Sequence, residues 1–120
     1  MMSSLEIAYE AVRALDSKKA QDIKLIGIRE ISSLADYFVI AAATSNTQAK
    51  ALADEVEFKL SQMGIEPDHV EGRSGNTWTL LDYNTVVVHI FLDKTRDFYD
   101  LERLWKDGEQ LSLEGIVTEG

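Results

Sequence analysis

Cysteine is absent from the 120 residues. Its absence excludes disulfides, thiolate nucleophiles and cysteine-ligated metals, and it fits a reducing compartment. Long apolar runs are also missing. The stretch Val86 to Leu92 still contains His89, whereas a membrane helix needs about 20 apolar residues in a row. The opening MMSSLEIAYEAVRALD has no basic n-region, no continuous apolar h-region and no enrichment in arginine. Neither a secretion signal nor an organelle presequence is expected, and a cytoplasmic location is. Positive charge is in short supply: 12 basic residues face 21 acidic ones, for a net −9. Bare RNA, DNA or an anionic lipid surface would repel such a chain at long range, because phosphates are bound through Lys and Arg. A basic protein would be attracted, although net negative charge also simply aids solubility.

The loops that carry common chemistries are missing as well. The chain has no G-x-x-x-x-G-K-[ST], no G-x-G-x-x-G and no G-x-S-x-G. His69 and His89 fall on different predicted strands, without zinc-site spacing, so no metal and no cofactor is expected. Asp36, Asp82 and Asp93 end predicted strands, where α/β folds often hold ligands. Without a Gly-Ser turn and a paired Asp-x-Asp, they read as caps and turn formers, and catalysis is disfavoured.

What the chain does contain is an alternation of helix and strand signals over a length typical of one domain. Ser3 to Glu6 is a capping box opening a helix with an apolar stripe at Leu5, Ala8, Val12 and Leu15, which Ser17-Lys18-Lys19 ends. Ile23 to Ile31 and Tyr37 to Ala43 read as strands, the second apolar on both faces and so central in a sheet. Ser45 and Gln48 repeat the capping-box pattern for a long helix with Ala49, Leu52, Ala53, Val56, Leu60 and Met63 inward, closed by Gly64 and Pro67. His69 to Glu71 is a short strand. Trp78 to Asp82 and Thr85 to Leu92 form a hairpin across Tyr83-Asn84. Thr95 caps a last helix, Arg96 to Lys106, whose stripe is Phe98, Leu101 and Leu104. The order predicts an α/β (α+β) fold: one domain at 1–108, with a mixed β-sheet and flanking helices, and a weakly patterned tail at 109–120 that docks or stays mobile.

Aromatic and arginine side chains at loops and element ends are the types that most often anchor protein interfaces. They single out Arg73, Trp78, Tyr83, Arg96 and Tyr99, with Asp82 beside them and Asp36 and His89 as further candidates. Core packing is the competing reading for the aromatics.

These same stretches carry a resemblance. ADYFVIAAATSNTQAKALADEV (Ala35 to Val56), EGRSGNTWTLLDYNTVVVHIF (Glu71 to Phe91) and TRDFYDLERLW (Thr95 to Trp105) resemble the Iojap or ribosomal silencing factor family. The resemblance implies a nucleotidyltransferase-like topology without that activity. It also implies binding to the large ribosomal subunit through ribosomal protein L-fourteen, with little direct nucleic acid contact and no membrane, so that subunit joining is blocked and translation falls when nutrients are scarce. Where a glycine-containing turn is expected after Leu81-Asp82-Tyr83, this chain has Asn84-Thr85. Asn tolerates positive φ best among the other residues, so the turn is expected to survive. The alternatives from other classes are a magnesium-dependent nucleotidyltransferase-like enzyme and a homodimeric scaffold, or a homodimer when free.

Overall fold

Among the described residues, six strands hydrogen-bond into one mixed sheet, and two helices cover one of its faces. The computed structural model describes residues 3–30, 33, 35–72, 78–92 and 108–113. The elements run α1 (Ser4–Ser17), β1 (Gln21–Gly27), β2 (Tyr37–Ala43), α2 (Asn46–Gln62), β3 (His69–Glu71), β4 (Trp78–Asp82), β5 (Val86–Leu92) and β6 (Glu109–Gln110). The sheet order is β3-β4-β5-β2-β1-β6. Among the described strands only β2 and β5 pair in parallel, with Tyr37 opposite Val86 through Ala43 opposite Leu92, and the other pairings are antiparallel. The mixed α+β class read from the sequence is the class observed.

Both caps read from the sequence form, but they differ. At α1 the Ser3 side chain accepts from the Glu6 N–H and the Glu6 carboxylate accepts from the Ser3 N–H, a complete capping box. At α2 the Ser45 Oγ accepts from the Gln48 N–H at 3.1 Å, yet Gln48 does not return the bond to Ser45. Its Oε1 accepts from the Thr44 N–H at 2.6 Å, and its Nε2 donates to the Lys18 and Lys19 carbonyls. Half of the expected box is thus replaced by a clamp between the start of α2 and the turn after α1. The amide oxygen accepts one residue earlier than a capping box requires, from Thr44, which leaves the NH2 group free to reach the two distant carbonyls. Gly64 follows the C-cap residue Met63 with φ +80°, the left-handed stop expected of it.

Two cores result. Between the helices and the sheet lie Ala8, Val12, Leu15, Leu52, Val56 and Leu60 with Leu25, Val39, Leu81, Val88 and Ile90, all essentially inaccessible. On the other face, Ile26, Ile28, Phe38, Ile40, Val87 and Phe91 are buried, with Trp78 and Leu80 packed at their margin. Each fully buried Leu, Ile or Phe contributes roughly 1.5–3 kcal/mol. Strand β2 supplies both cores with alternate residues, which is why it reads as apolar throughout.

Three boundaries differ from expectation. β1 occupies Gln21–Gly27, starting before the expected Ile23 with an irregularity between Gln21 and Lys24, and the chain begins to turn after Ile28; Ile31, the expected end, lies outside the described residues. Ile28 stays buried and donates its N–H to the Asp36 carbonyl, so apolar character outlasts the strand. Thr85 belongs to the turn before β5: its N–H bonds the Tyr83 carbonyl, and its own carbonyl accepts from the Asp36 and Tyr37 N–H groups. Glu109 and Gln110, placed by sequence in the tail, pair with Gly27 and Ile26 as β6, and Leu111 and Leu113 pack against the helix-side core. The last helix expected at Arg96 to Lys106 lies outside the described residues.

Candidate partner-binding face

Strand β4 alternates. Thr79 and Leu81 are buried toward the helices, while Trp78, Leu80 and Asp82 point to the opposite face and remain partly accessible. Residues paired across an antiparallel ladder share a face. Glu71, opposite Leu80, and His69, opposite Asp82, therefore flank this row from the edge strand β3, and both are exposed. The outcome is an apolar and aromatic strip with Glu71 and Asp82 beside it.

Trp78 is anchored inward. Its indole Nε1–H donates to His89 Nδ1 at 3.2 Å. Its ring lies nearly parallel to those of His89 and Phe91, with centroids 5.9 and 6.1 Å away. Asp82 sits at the other end of the same strand, roughly 13 Å away at about 3.3 Å per residue. Its Oδ1 accepts from the Asn84 N–H at 2.8 Å, and Asn84 adopts the positive φ expected of it, +75°. Asp36 belongs to that end of the sheet too, through the bond from its N–H to Thr85. Its carboxylate accepts from Ser4 Oγ at 3.0 Å and pairs with the Arg29 guanidinium at 3.3 Å, which in turn lies 5.9 Å from the Tyr37 ring centroid.

Two of the residues expected at a contact surface are not available to one. Tyr83 is 6% exposed and turns into the helix-side core; His89 is 4% exposed within β5. Turn position suggested an outward Tyr83, but the odd–even alternation of β4 continues into the turn and carries its ring inward. Burial also drives His89 down to about pKa 3, so the ring is neutral at physiological pH. Arg73, Arg96 and Tyr99 lie outside the described residues, as do Asp93 and Trp105. Leu80, Glu71 and His69, not singled out from sequence, share the face of Trp78; the Trp78-Leu80-Asp82 alternation was the signal for the first. Among the described residues, no three of His, Asp or Glu are grouped so as to hold a metal ion, and no helix is long and apolar enough to cross a membrane.

Among the described residues, helices cover one face of the sheet and a partly accessible aromatic strip lies on the other, and this α+β arrangement defines the class. Residues 1–119 match the family described as ribosomal silencing factor during starvation, and the chain belongs to that family. It is 38% identical over 117 residues to ribosomal silencing factor RsfS of Halalkalibacterium halodurans, covering 98% of this chain and all of the relative. A crystal structure of a protein from Chromobacterium violaceum superposes with a TM-score of 0.84 at 38% identity, covering 92% of each chain. A more distant relative, 30% identical over 78% of this chain and 42% of its own length, is the mouse protein named mitochondrial assembly of ribosomal large subunit protein 1. The family is one of regulators of translation associated with the ribosome.

Proposed function

We propose that this protein docks on the large ribosomal subunit through ribosomal protein L-fourteen and keeps the small subunit from joining, so that translation falls under nutrient limitation. The family supports a silencing role, and the name of the mouse relative points to the large subunit in particular. The observation that carries the docking surface is the Trp78-Leu80-Asp82 row, a partly accessible aromatic and apolar strip facing away from both helices. Buried aromatic area supplies affinity, and Asp82 and Glu71 complement a basic protein patch. Arg73, Arg96 and Tyr99 complete the surface in this reading, with Asp36 at the far end of the sheet. An acidic chain of net −9 suits a basic protein partner in preference to RNA phosphates, which fits little direct nucleic acid contact. The mechanism is occupancy: no bond is made or broken, and the setting is the cytoplasm.

Co-sedimentation with purified large subunits, followed by a subunit-joining assay, tests this. Wild-type protein should sediment with large subunits and suppress joining at saturation. Trp78→Ala should weaken binding by about 2 kcal/mol or more, the size expected of an interface anchor. Free joining at a saturating dose of wild-type protein sinks the proposal. Self-association, measured by light scattering, should be competed by the ribosomal partner if the free protein dimerises through the same face.

A further inference from the structure

Strand β5 is Val-Val-Val-His-Ile-Phe-Leu, and its single polar side chain, His89, is as buried as its neighbours. Burial alone would favour an apolar residue there, because a desolvated imidazole is costly unless its nitrogens are hydrogen-bonded. One of them is: Nδ1 faces the Trp78 indole N–H at 3.2 Å. An indole nitrogen only donates, so Nδ1 is the bare nitrogen and the neutral ring carries its proton on Nε2. That second nitrogen is buried with no hydrogen-bond partner among the described residues. The bond to Trp78 is thus the polar interaction that accounts for a histidine at this position.

The geometry around the pair is asymmetric. His89 is held on two sides, by Phe38 at 4.5 Å with the rings tilted 59° and by Phe91 at 6.2 Å and nearly parallel. Trp78 is partly accessible and stands at the start of β4. In the ladder, Trp78 is opposite Phe91 and Leu80 is opposite His89, so Trp78 and His89 are diagonal neighbours, within reach of large rings. A fixed acceptor in the core therefore grips the edge of a ring at the surface.

We infer that His89 is a positioning residue, whose Nδ1 holds the Trp78 indole in the orientation in which it meets a partner protein, without itself touching that partner. The inference rests on the docking role of Trp78 given above. Its physical basis is preorganisation: a tryptophan already fixed about both side-chain torsions loses less freedom on docking than one that samples several rotamers.

Two substitutions separate this role from packing. His89→Phe keeps the ring but removes the acceptor. His89→Asn removes the ring but keeps an acceptor oxygen close to the Nδ1 position. Nitrogen-15 NMR of the wild-type protein should show His89 protonated on Nε2 and a downfield Trp78 indole proton, assigned with Trp105→Phe. His89→Phe should move that proton upfield and weaken co-sedimentation with large subunits by about fivefold, the size of one neutral hydrogen bond. His89→Asn should restore much of both. In a Trp78→Phe background, which has no indole N–H, His89→Phe should leave binding unchanged. An Nδ1-protonated His89, or His89→Phe binding as wild type while His89→Asn fails, overturns the inference. If the wild-type spectrum carries the bond but the protein does not sediment with large subunits, the docking role falls, and with it this use of the bond.

Discussion

Gly72 and Trp78 approach so closely that a Cβ on Gly72 would stand 2.0 Å from the Trp78 carbonyl oxygen. Gly72 also has φ +70°, which a side chain disfavours, and its own carbonyl accepts from Thr79 Oγ1 at 2.9 Å. The neighbour is backbone and cannot swing away. Gly72→Ala should therefore destabilise the fold by about 2–4 kcal/mol, combining left-handed strain with overpacking. Urea denaturation measures this. A midpoint unchanged from wild type would mean that β3 and β4 are not held together as described.

Asn84 makes a milder demand. Its φ is +75°, and its N–H is already satisfied by Asp82 Oδ1. Asn84→Gly should stay within about 0.5 kcal/mol of wild type, since glycine adopts this region freely but adds freedom to the unfolded chain. Asn84→Ala should lose about 1 kcal/mol, the penalty for an ordinary residue held left-handed. Equal stabilities for the two variants in chemical denaturation would count against the turn geometry.

The contrast between these positions shows what a sequence displays. Asn84 was legible because the requirement is local: a turn residue and its own φ. β2 was legible for a similar reason, since Tyr37 to Ala43 is apolar at every position and has to be central. Gln48 was only half legible, because the carbonyls it grips belong to Lys18 and Lys19, which are distant in sequence. β6 carried no signal at all. Glu109 and Gln110 are exposed, and their pairing with Gly27 and Ile26 is made by backbone atoms that every sequence possesses. At the candidate site, residue type pointed alike to Trp78 and Asp82, which are partly accessible, and to Tyr83 and His89, which are buried. Telling a contact from its support requires the register of β4 against β5.

The buried His89 makes stability depend on pH in a stated direction. Its ordinary value of 6.5 holds in the unfolded chain, and burial lowers it to about 3 in the fold. Below 6.5 the unfolded chain takes up a proton that the folded chain refuses, so acid favours unfolding. This contribution is complete above about pH 6.5 and is lost steadily as pH falls toward 3, at up to about 1.4 kcal/mol per pH unit. Unfolding free energies from urea denaturation at pH 7 and 5.5 should differ by roughly 1 kcal/mol more in wild type than in His89→Phe, which has nothing to protonate there. Parallel behaviour of the two proteins across that interval would show that His89 does not stay neutral in the fold.

Charge makes the last prediction, and its sign is diagnostic. The chain carries −9, with Glu71 and Asp82 on the face of Trp78. Steering toward a basic protein works over a Debye length, about 30 Å at 0.01 M salt and about 8 Å at 0.15 M. Association with isolated ribosomal protein L-fourteen, followed by stopped-flow fluorescence of the tryptophans, should therefore slow by roughly tenfold across that range. The dissociation rate should change much less, because contacts already formed are screened only weakly. Repulsion by RNA acts in the opposite sense, so the same experiment on whole large subunits should show a shallower dependence than on the isolated protein. An association rate indifferent to salt with the isolated partner would remove steering from the mechanism and leave the acidic composition to solubility alone. An association rate that rises with salt there would place the docking face against negative charge and contradict the basic-partner reading itself.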